Sequence, residues 1–249
     1  MSRMQRLLTG LAGVIILILL WDGLGKFGVL DQDLFPPVTA MWRRFVELSM
    51  NADFLKNHVG GSIYRLLAAC LIAVPLAVAT GFWLGLSDRA HAALNPFINF
   101  TLPLPKVAIF PLILAIFGIG DLGKIILIGI GIFYPLFINV VHGTARLRAS
   151  EFMDLVKIYH VKKADVWLKV YGRGLVTDIL VGLKASIGYG FTLIVVSEFS
   201  ASRNGLGHFI WRAWDSFQII DMYAGVLWLC ILGWAVQAFL DWLLRLNMK

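Results

Sequence analysis

Charge is scarce in this chain. Only 15% of its 249 residues are Asp, Glu, Lys or Arg, where a soluble chain of this length carries about 25%. Hydrophobic residues make up 59%, so this is not a soluble domain, and the same figures exclude intrinsic disorder and a collagen-like repeat. Cysteine is nearly absent. Cys70 and Cys230 are the two present, each deep in an apolar run, which excludes a disulfide scaffold and reads as packing thiols rather than a bridge. Chemical motifs are absent too. There is no GxxxxGK(S/T), hence no P-loop nucleotide site. There is no HExxH, GxSxG or CxxC, and the histidines at 58, 91, 142, 160 and 208 are scattered, so no metal or nucleophilic site is visible. Acidic residues number 15 against 22 basic ones, a net charge of +7. The basic residues lie beside apolar runs without a nucleic-acid-reading module, so membrane topology accounts for the excess and nucleic acid is not a partner.

What is present is apolar length. A helix needs roughly 20 apolar residues to cross the hydrocarbon layer, and six runs meet or approach that: residues 7–24, 63–86, 94–117, 122–141, 175–196 and 222–244. The first follows Arg3 and Arg6 and could pass for a signal peptide. It lacks a small-x-small cleavage site and runs into Trp21 and Asp22, an interfacial anchor, so it reads as a retained span. The expectation is an all-α polytopic membrane protein of six transmembrane helices. Basic residues orient it. Between the fourth and fifth runs, Arg146, Arg148, Lys157, Lys162, Lys163, Lys169 and Arg173 stand against Glu151, Asp154 and Asp165, a net of +4. Residues 22–61 and 198–221 each carry a net of −1, and both chain ends are basic. These counts place both termini and the 146–173 loop in the cytoplasm.

Small residues recur at helical spacing, Ala73, Ala77, Gly81 and Gly85 in one stripe and Gly182, Ser186 and Gly190 in another. Such stripes let helix backbones approach closely, either within one subunit or between subunits. Pro103, Pro105 and Pro111 should kink or break the third run, with Lys106 among them. Residues 118–121 are a short turn, making an antiparallel hairpin of runs three and four. After Pro36 and Pro37, residues 38–51 look like an amphipathic helix on the outer surface. Lys124 and Asp178 lie near span ends and read as snorkelling to an interface, and Glu198 closes the fifth run. Lys184, deeper, is either functional or paired within the bundle. Polar groups at membrane depth need water or partners, which nominates Lys106, Asn139, Lys184, Ser186, Tyr189 and Thr192 as pathway-lining residues.

The cytoplasmic loop holds a short amphipathic helix. Ser150 can cap it, and Glu151 in the first turn suits the helix dipole. Phe152, Leu155, Val156 and Tyr159 then fall at i, i+3, i+4 and i+7 on one face, with Asp154 and Lys157 on the other. Such a helix lies on lipid or docks into a partner's groove. With no energy source in the chain, a partner that supplies one is the economical reading.

With these pieces assembled, the chain resembles the permease subunits of binding-protein-dependent ABC importers of the nitrate, sulfonate and taurine type, the MetI-like type I fold. LFPP at 34–37 is similar to the family's LFPsP, and SIYRLL at 62–67 to its SLxRxL. LPKVAIFPLILAIFGIG at 104–120 is close to lPxxAllPlxixxfGig, the most specific local match. FYP at 133–135 with Asn139 resembles ffPvxxNt, GLK at 182–184 the family's GLR, Ser197 with Glu198 its aE, and GLG at 205–207 its GLG. The cytoplasmic EAA signature is altered: Asp154 replaces Glu, Leu155 and Val156 the two alanines, His160 the glycine and Arg173 the proline.

The resemblance implies one transmembrane domain over 1–249, with a core-type region at about 62–244 and a coupling helix within 150–163. It implies a multi-pass protein of the bacterial inner membrane that is no enzyme itself and binds no cofactor. Two ATPase subunits would carry ATP and Mg, a second permease chain would complete the pathway, and a soluble extracytoplasmic protein would deliver the solute. Glu151, Phe152, Asp154, Leu155, Val156, Tyr159 and His160 would couple the chain to the ATPase. The solute would be a small anion or zwitterion. The alternatives are a heterocyclic vitamin precursor as solute, a channel or scaffold uncoupled from ATP, and an intramembrane enzyme.

Overall fold

The computed structural model describes residues 3–159, 161–162 and 165–247, and its regular elements are helices. Helix α1 is Arg3–Lys26 and α2 is Val38–Met50. Helix α3 runs Ala52–Leu86, with a π-helical turn at Leu55–Val59. Helices α4, Asp88–Thr101, and α5, Lys106–Phe117, meet at an 85° bend. There follow α6, Asp121–Arg148; α7, Glu151–Ile158; α8, Val176–Ala201; α9, Leu206–Asp215; and α10, Ile219–Asn247. Among the described residues, α3, α6, α8 and α10 are long and apolar enough to cross a membrane, and α4 with α5 makes a fifth if counted as one broken span. The first apolar run falls within α1, whose 24 residues extend about 36 Å at 1.5 Å per residue.

The bend has a local cause. Pro103 and Pro105 have no backbone N–H, so the helix cannot continue through them, and the chain restarts at Lys106. Pro111 is different: it occupies the first turn of the α-helical segment Phe110–Phe117. There its missing N–H has no intrahelical partner to lose, so it starts a helix where the sequence suggested a kink. Gly118, at φ 80°, turns the chain into α6.

Helix α6 is the centre of the packing, with α3 on one side and α8 on the other. Both small-residue stripes serve this packing within one chain. Ala69, Ala73 and Ala77 are buried, and a Cβ on Gly85 would lie 2.5 Å from that of Thr144 on α6. On the other side, a Cβ on Gly182 would lie 2.8 Å from that of Asn139. Between them Leu127, Ile128, Ile132, Leu136 and Val140 of α6 are fully buried. Burying each is worth about 1.5–3 kcal/mol in water, but in lipid close packing itself holds helices together.

Helix α2 does not lie free on a surface. Asp22 accepts from Val38 N at 3.0 Å, filling the role of an N-cap, while Trp21 Nε1 donates to Pro36 O at 3.0 Å. Arg44 grips Asp221 at the start of α10 with two bonds, at 2.5 and 3.1 Å, and Phe45 packs on Trp228. Cys70 and Cys230 are free thiols, and Cys230 is exposed rather than packed.

Candidate functional site

Three separated segments converge where α3, α6, α8 and α9 meet. Glu198, near the end of α8, is fully buried. Its carboxylate accepts from Ser62 Oγ at 2.9 Å, Arg65 Nη1 at 2.6 Å and Gly207 N at 2.8 Å. Ser62 Oγ in turn accepts from Leu206 N at 2.9 Å. Arg65, also buried, donates through Nε to Asp121 at 2.9 Å, through Nη1 to Asn204 O at 3.2 Å and through Nη2 to the Asn204 side chain. Charges at such depth persist when paired and fully hydrogen-bonded. Here they are.

Lys124 belongs to the same network. It is 3% exposed and donates to Ser202 Oγ at 3.1 Å and to Asp121 at 3.4 Å, so it turns inward and does not snorkel. Two buried cations and two carboxylates therefore balance. Outside them opens a basin of about 860 Å³ lined by Asn57, His58, Gly120, Lys124, Ser202 and Arg203. The His208 imidazole on α9 stacks on His58 with ring centroids 6.3 Å apart. Burial first, then the neighbouring His58 and Arg212, push it below the ordinary histidine range.

The nominated pathway residues do not form one cluster. Lys106 is buried and donates to Leu102 O at 2.5 Å and Thr101 O at 3.1 Å, with Nζ 4.6 Å from the centre of the Tyr134 ring. Asn139 Nδ2 donates back to Pro135 O at 2.8 Å. Lys184 pairs with Asp241 of α10 at 2.5 Å, and Gln237 Nε2 donates to Lys184 O at 3.0 Å. Tyr189 and Thr192 are exposed on α8. Ser186 is fully buried on the α6 side, its hydroxyl donating to Gly182 O at 2.6 Å. That serine packs helices and lines no open face in this conformation. Asp178 is likewise tied down, accepting from Arg146 of α6 at 2.8 Å.

The loop helix forms as α7, Glu151–Ile158, shorter at its C-terminal end than the sequence suggested. The Ser150 hydroxyl, just before it, donates to Leu147 O at 2.6 Å at the end of α6. Val156 is half-buried, while Ile158 and Tyr159 are 69% and 76% exposed. His160, and the side chains of Phe152, Asp154 and Leu155, lie outside the described residues. Ser62, Arg65, Asp121 and Asn204 were not singled out as site residues by sequence reasoning. The available signal was that SIYRLL, the serine–glutamate pair and GLG each bring a polar or glycine residue to an apolar chain.

A single helical bundle with buried, balanced charge and a short helix projecting between spans is the architecture of a polytopic transport component. The chain belongs to the family of binding-protein-dependent transport system inner membrane components, whose model matches residues 73–248. It is similar to the putative aliphatic sulfonates transport permease protein SsuC of Bacillus subtilis (strain 168), 28% identical over 234 residues that cover 94% of this chain and 84% of that one. It is similar to the taurine transport system permease protein TauC of Escherichia coli (strain K12), 26% identical over 243 residues covering 94% and 83%. The nitrate import permease protein NrtB of Leptolyngbya laminosa is 25% identical over 186 residues, covering 75% and 66%.

Proposed function

We propose that this chain is the membrane-spanning permease subunit of an ATP-driven importer for a small anionic or zwitterionic solute of the sulfonate, taurine or nitrate kind. Family membership is the observation that carries this reading, and the names of its relatives support the solute class. The whole chain acts as one transmembrane domain with its core at about 62–244. Counting α1 and the broken α4–α5 pair gives six spans, with both termini cytoplasmic as the basic-residue count requires. Reporter fusions should read outside after Ser216 and inside near Lys162; the reverse at either site overturns the orientation.

Two permease chains form the pathway, and a soluble protein delivers solute to the outer face. ATP and Mg are held by two separate ATPase subunits, which hydrolyse ATP. The segment 150–163 couples to them through Glu151, Phe152, Asp154, Leu155, Val156, Tyr159 and His160. Closure of the ATPase dimer shifts the spans between outward and inward access. The nominated lining residues are Lys106, Asn139, Lys184, Ser186, Tyr189 and Thr192, of which Lys106 and Ser186 are buried in this conformation. The test is reconstitution of the chain with its ATPase and binding protein in liposomes. ATP-dependent uptake of labelled taurine, an alkylsulfonate or nitrate is the expected result. Passive flux without nucleotide would make it a channel and overturn the reading.

A further inference from the structure

Helix α4 carries its polarity on an unusual side. His91, Asn95 and Asn99 stand at i, i+4 and i+8, one stripe about 12 Å long at 1.5 Å per residue. With His142 of α6 they line a crevice of about 110 Å³ between the two helices, its remaining wall apolar. The opposite face of α4 carries Leu94, Phe97 and Phe100, all exposed. The aromatic face thus suits lipid, while the polar stripe borders the neighbouring helix with His91 and Asn95 half-buried and Asn99 and His142 exposed. None of the four polar side chains makes a hydrogen bond, ion pair or ring contact among the described residues. Asn95 and Asn99 fall within the third apolar run, where polar groups without protein partners require water or a ligand, and His91 and His142 flank it just beyond the runs at 94–117 and 122–141.

The donors select the ligand. Two amides and two imidazoles offer N–H groups, and no carboxylate lines the crevice. Leu102, at its end nearest the bend, is the residue whose carbonyl receives the Lys106 ammonium. A cation would find no counter-charge here; an oxygen-rich anion would find donors on two helices and a positive charge near one end. The volume holds three or four waters at about 30 Å³ each, or the head of a small solute. We propose that the α4–α6 crevice binds the oxyanion head of the transported solute, a sulfonate, carboxylate or nitrate group, through Asn95, Asn99, His91 and His142. This deepens the importer reading and rests on it for the identity of the cargo.

Single cysteines test it, in the full chain carrying Cys70→Ala and Cys230→Ala, in membrane vesicles. The probes are methanethiosulfonate reagents bearing either an ethylsulfonate or a trimethylammonium group, each scaled to its rate with a free thiol. Asn95→Cys, Asn99→Cys and His142→Cys should react about tenfold faster than Phe97→Cys and Phe100→Cys, because water reaches only the polar side. The scaled rate should favour the sulfonate reagent, and excess ethanesulfonate should slow it. Three crevice positions on two helices keep the test intact if one variant fails to insert. Equal rates on both faces of α4, no reaction in the crevice, or preference for the cationic reagent would each overturn the proposal. Selective, protectable labelling without ATP-driven uptake would leave the crevice site standing and overturn the importer; uptake with unselective labelling would overturn the crevice alone.

Discussion

The backbone of Gly205 passes so close to Glu198 that a Cβ there would lie 2.3 Å from the carboxyl carbon. Gly205 also sits at φ 108°, a conformation side chains disfavour. The glycine is thus part of the carboxylate's seat, and Gly207 completes it by donating its N–H.

Removing the carboxylate should be costly in a specific way. Glu198→Ala removes one of the two carboxylates paired with the buried Arg65 guanidinium and leaves Asp121 at 2.8 Å, so the loss should approach but not exceed the roughly 3–5 kcal/mol of a buried charge left wholly unpaired. The melting temperature of the detergent-solubilised chain should fall sharply. Glu198→Gln, which loses the charge but keeps an acceptor for Ser62 and Gly207, should fall less; equal losses would mean that the charge pairing with Arg65, and not the hydrogen-bonded seat, is what matters.

Lys184 and Asp241 should behave as a pair. An unpaired charge in a span costs about 2.5–3.5 kcal/mol on insertion-based scales, so Lys184→Leu and Asp241→Leu should each lower the amount of folded protein in the membrane. The double replacement, and the exchange of Lys184→Asp with Asp241→Lys, should recover it. Additive losses would contradict the pairing.

Coupling through α7 should depend on Tyr159, the exposed aromatic just past its end. Tyr159→Ala should cost on the order of 2 kcal/mol of ATPase docking, as loss of a buried aromatic anchor does. Uptake and solute-stimulated ATP hydrolysis should fall together while insertion is unchanged. Unaltered association with the ATPase would place α7 on the lipid surface instead.

His208 gives a pH dependence. Its proton affinity is lowered in the fold, so the unfolded chain binds the proton more readily and stability declines as pH falls through about 6.5, the ordinary histidine value. Melting temperatures followed between neutral and mildly acidic pH should drop less for His208→Gln than for the parent chain.

Much of the fold is legible in the sequence because hydrocarbon imposes length: five of the six apolar runs fall on single helices, and the third is split between α4 and α5 where its prolines stand. The small-residue stripes were legible as packing surfaces, but a periodic stripe does not say which helix covers it; that depends on α6 reaching both Gly85 and Gly182. The charged network was hidden for a different reason. Ser62 and Glu198 are 136 positions apart in sequence, and no local pattern joins them. A lysine near a span end has enough stem to reach water, and only the fold shows Lys124 buried with Ser202 and the half-exposed Asp121 as its partners. The polar stripe of α4 was overlooked because the apolar run starts at residue 94, past His91, while Ser87 caps a helix that begins at Asp88.

The bend between α4 and α5 ties occupancy to rigidity. Thr101 would normally receive an amide hydrogen from position 105, which proline cannot give; Leu104 N reaches its carbonyl at 3.3 Å and the Lys106 side chain adds a donor at 3.1 Å. Because peptide dipoles and the Tyr134 ring hold that ammonium, with no carboxylate among its partners, its charge is solvated but not cancelled. An anion arriving beside it would neutralise the corner and strengthen the strut that keeps the two half-helices at their angle. Cargo and bend would then be thermodynamically linked: whatever anion occupies the corner should raise the temperature at which it comes apart, and a stiffer corner should hold that anion longer.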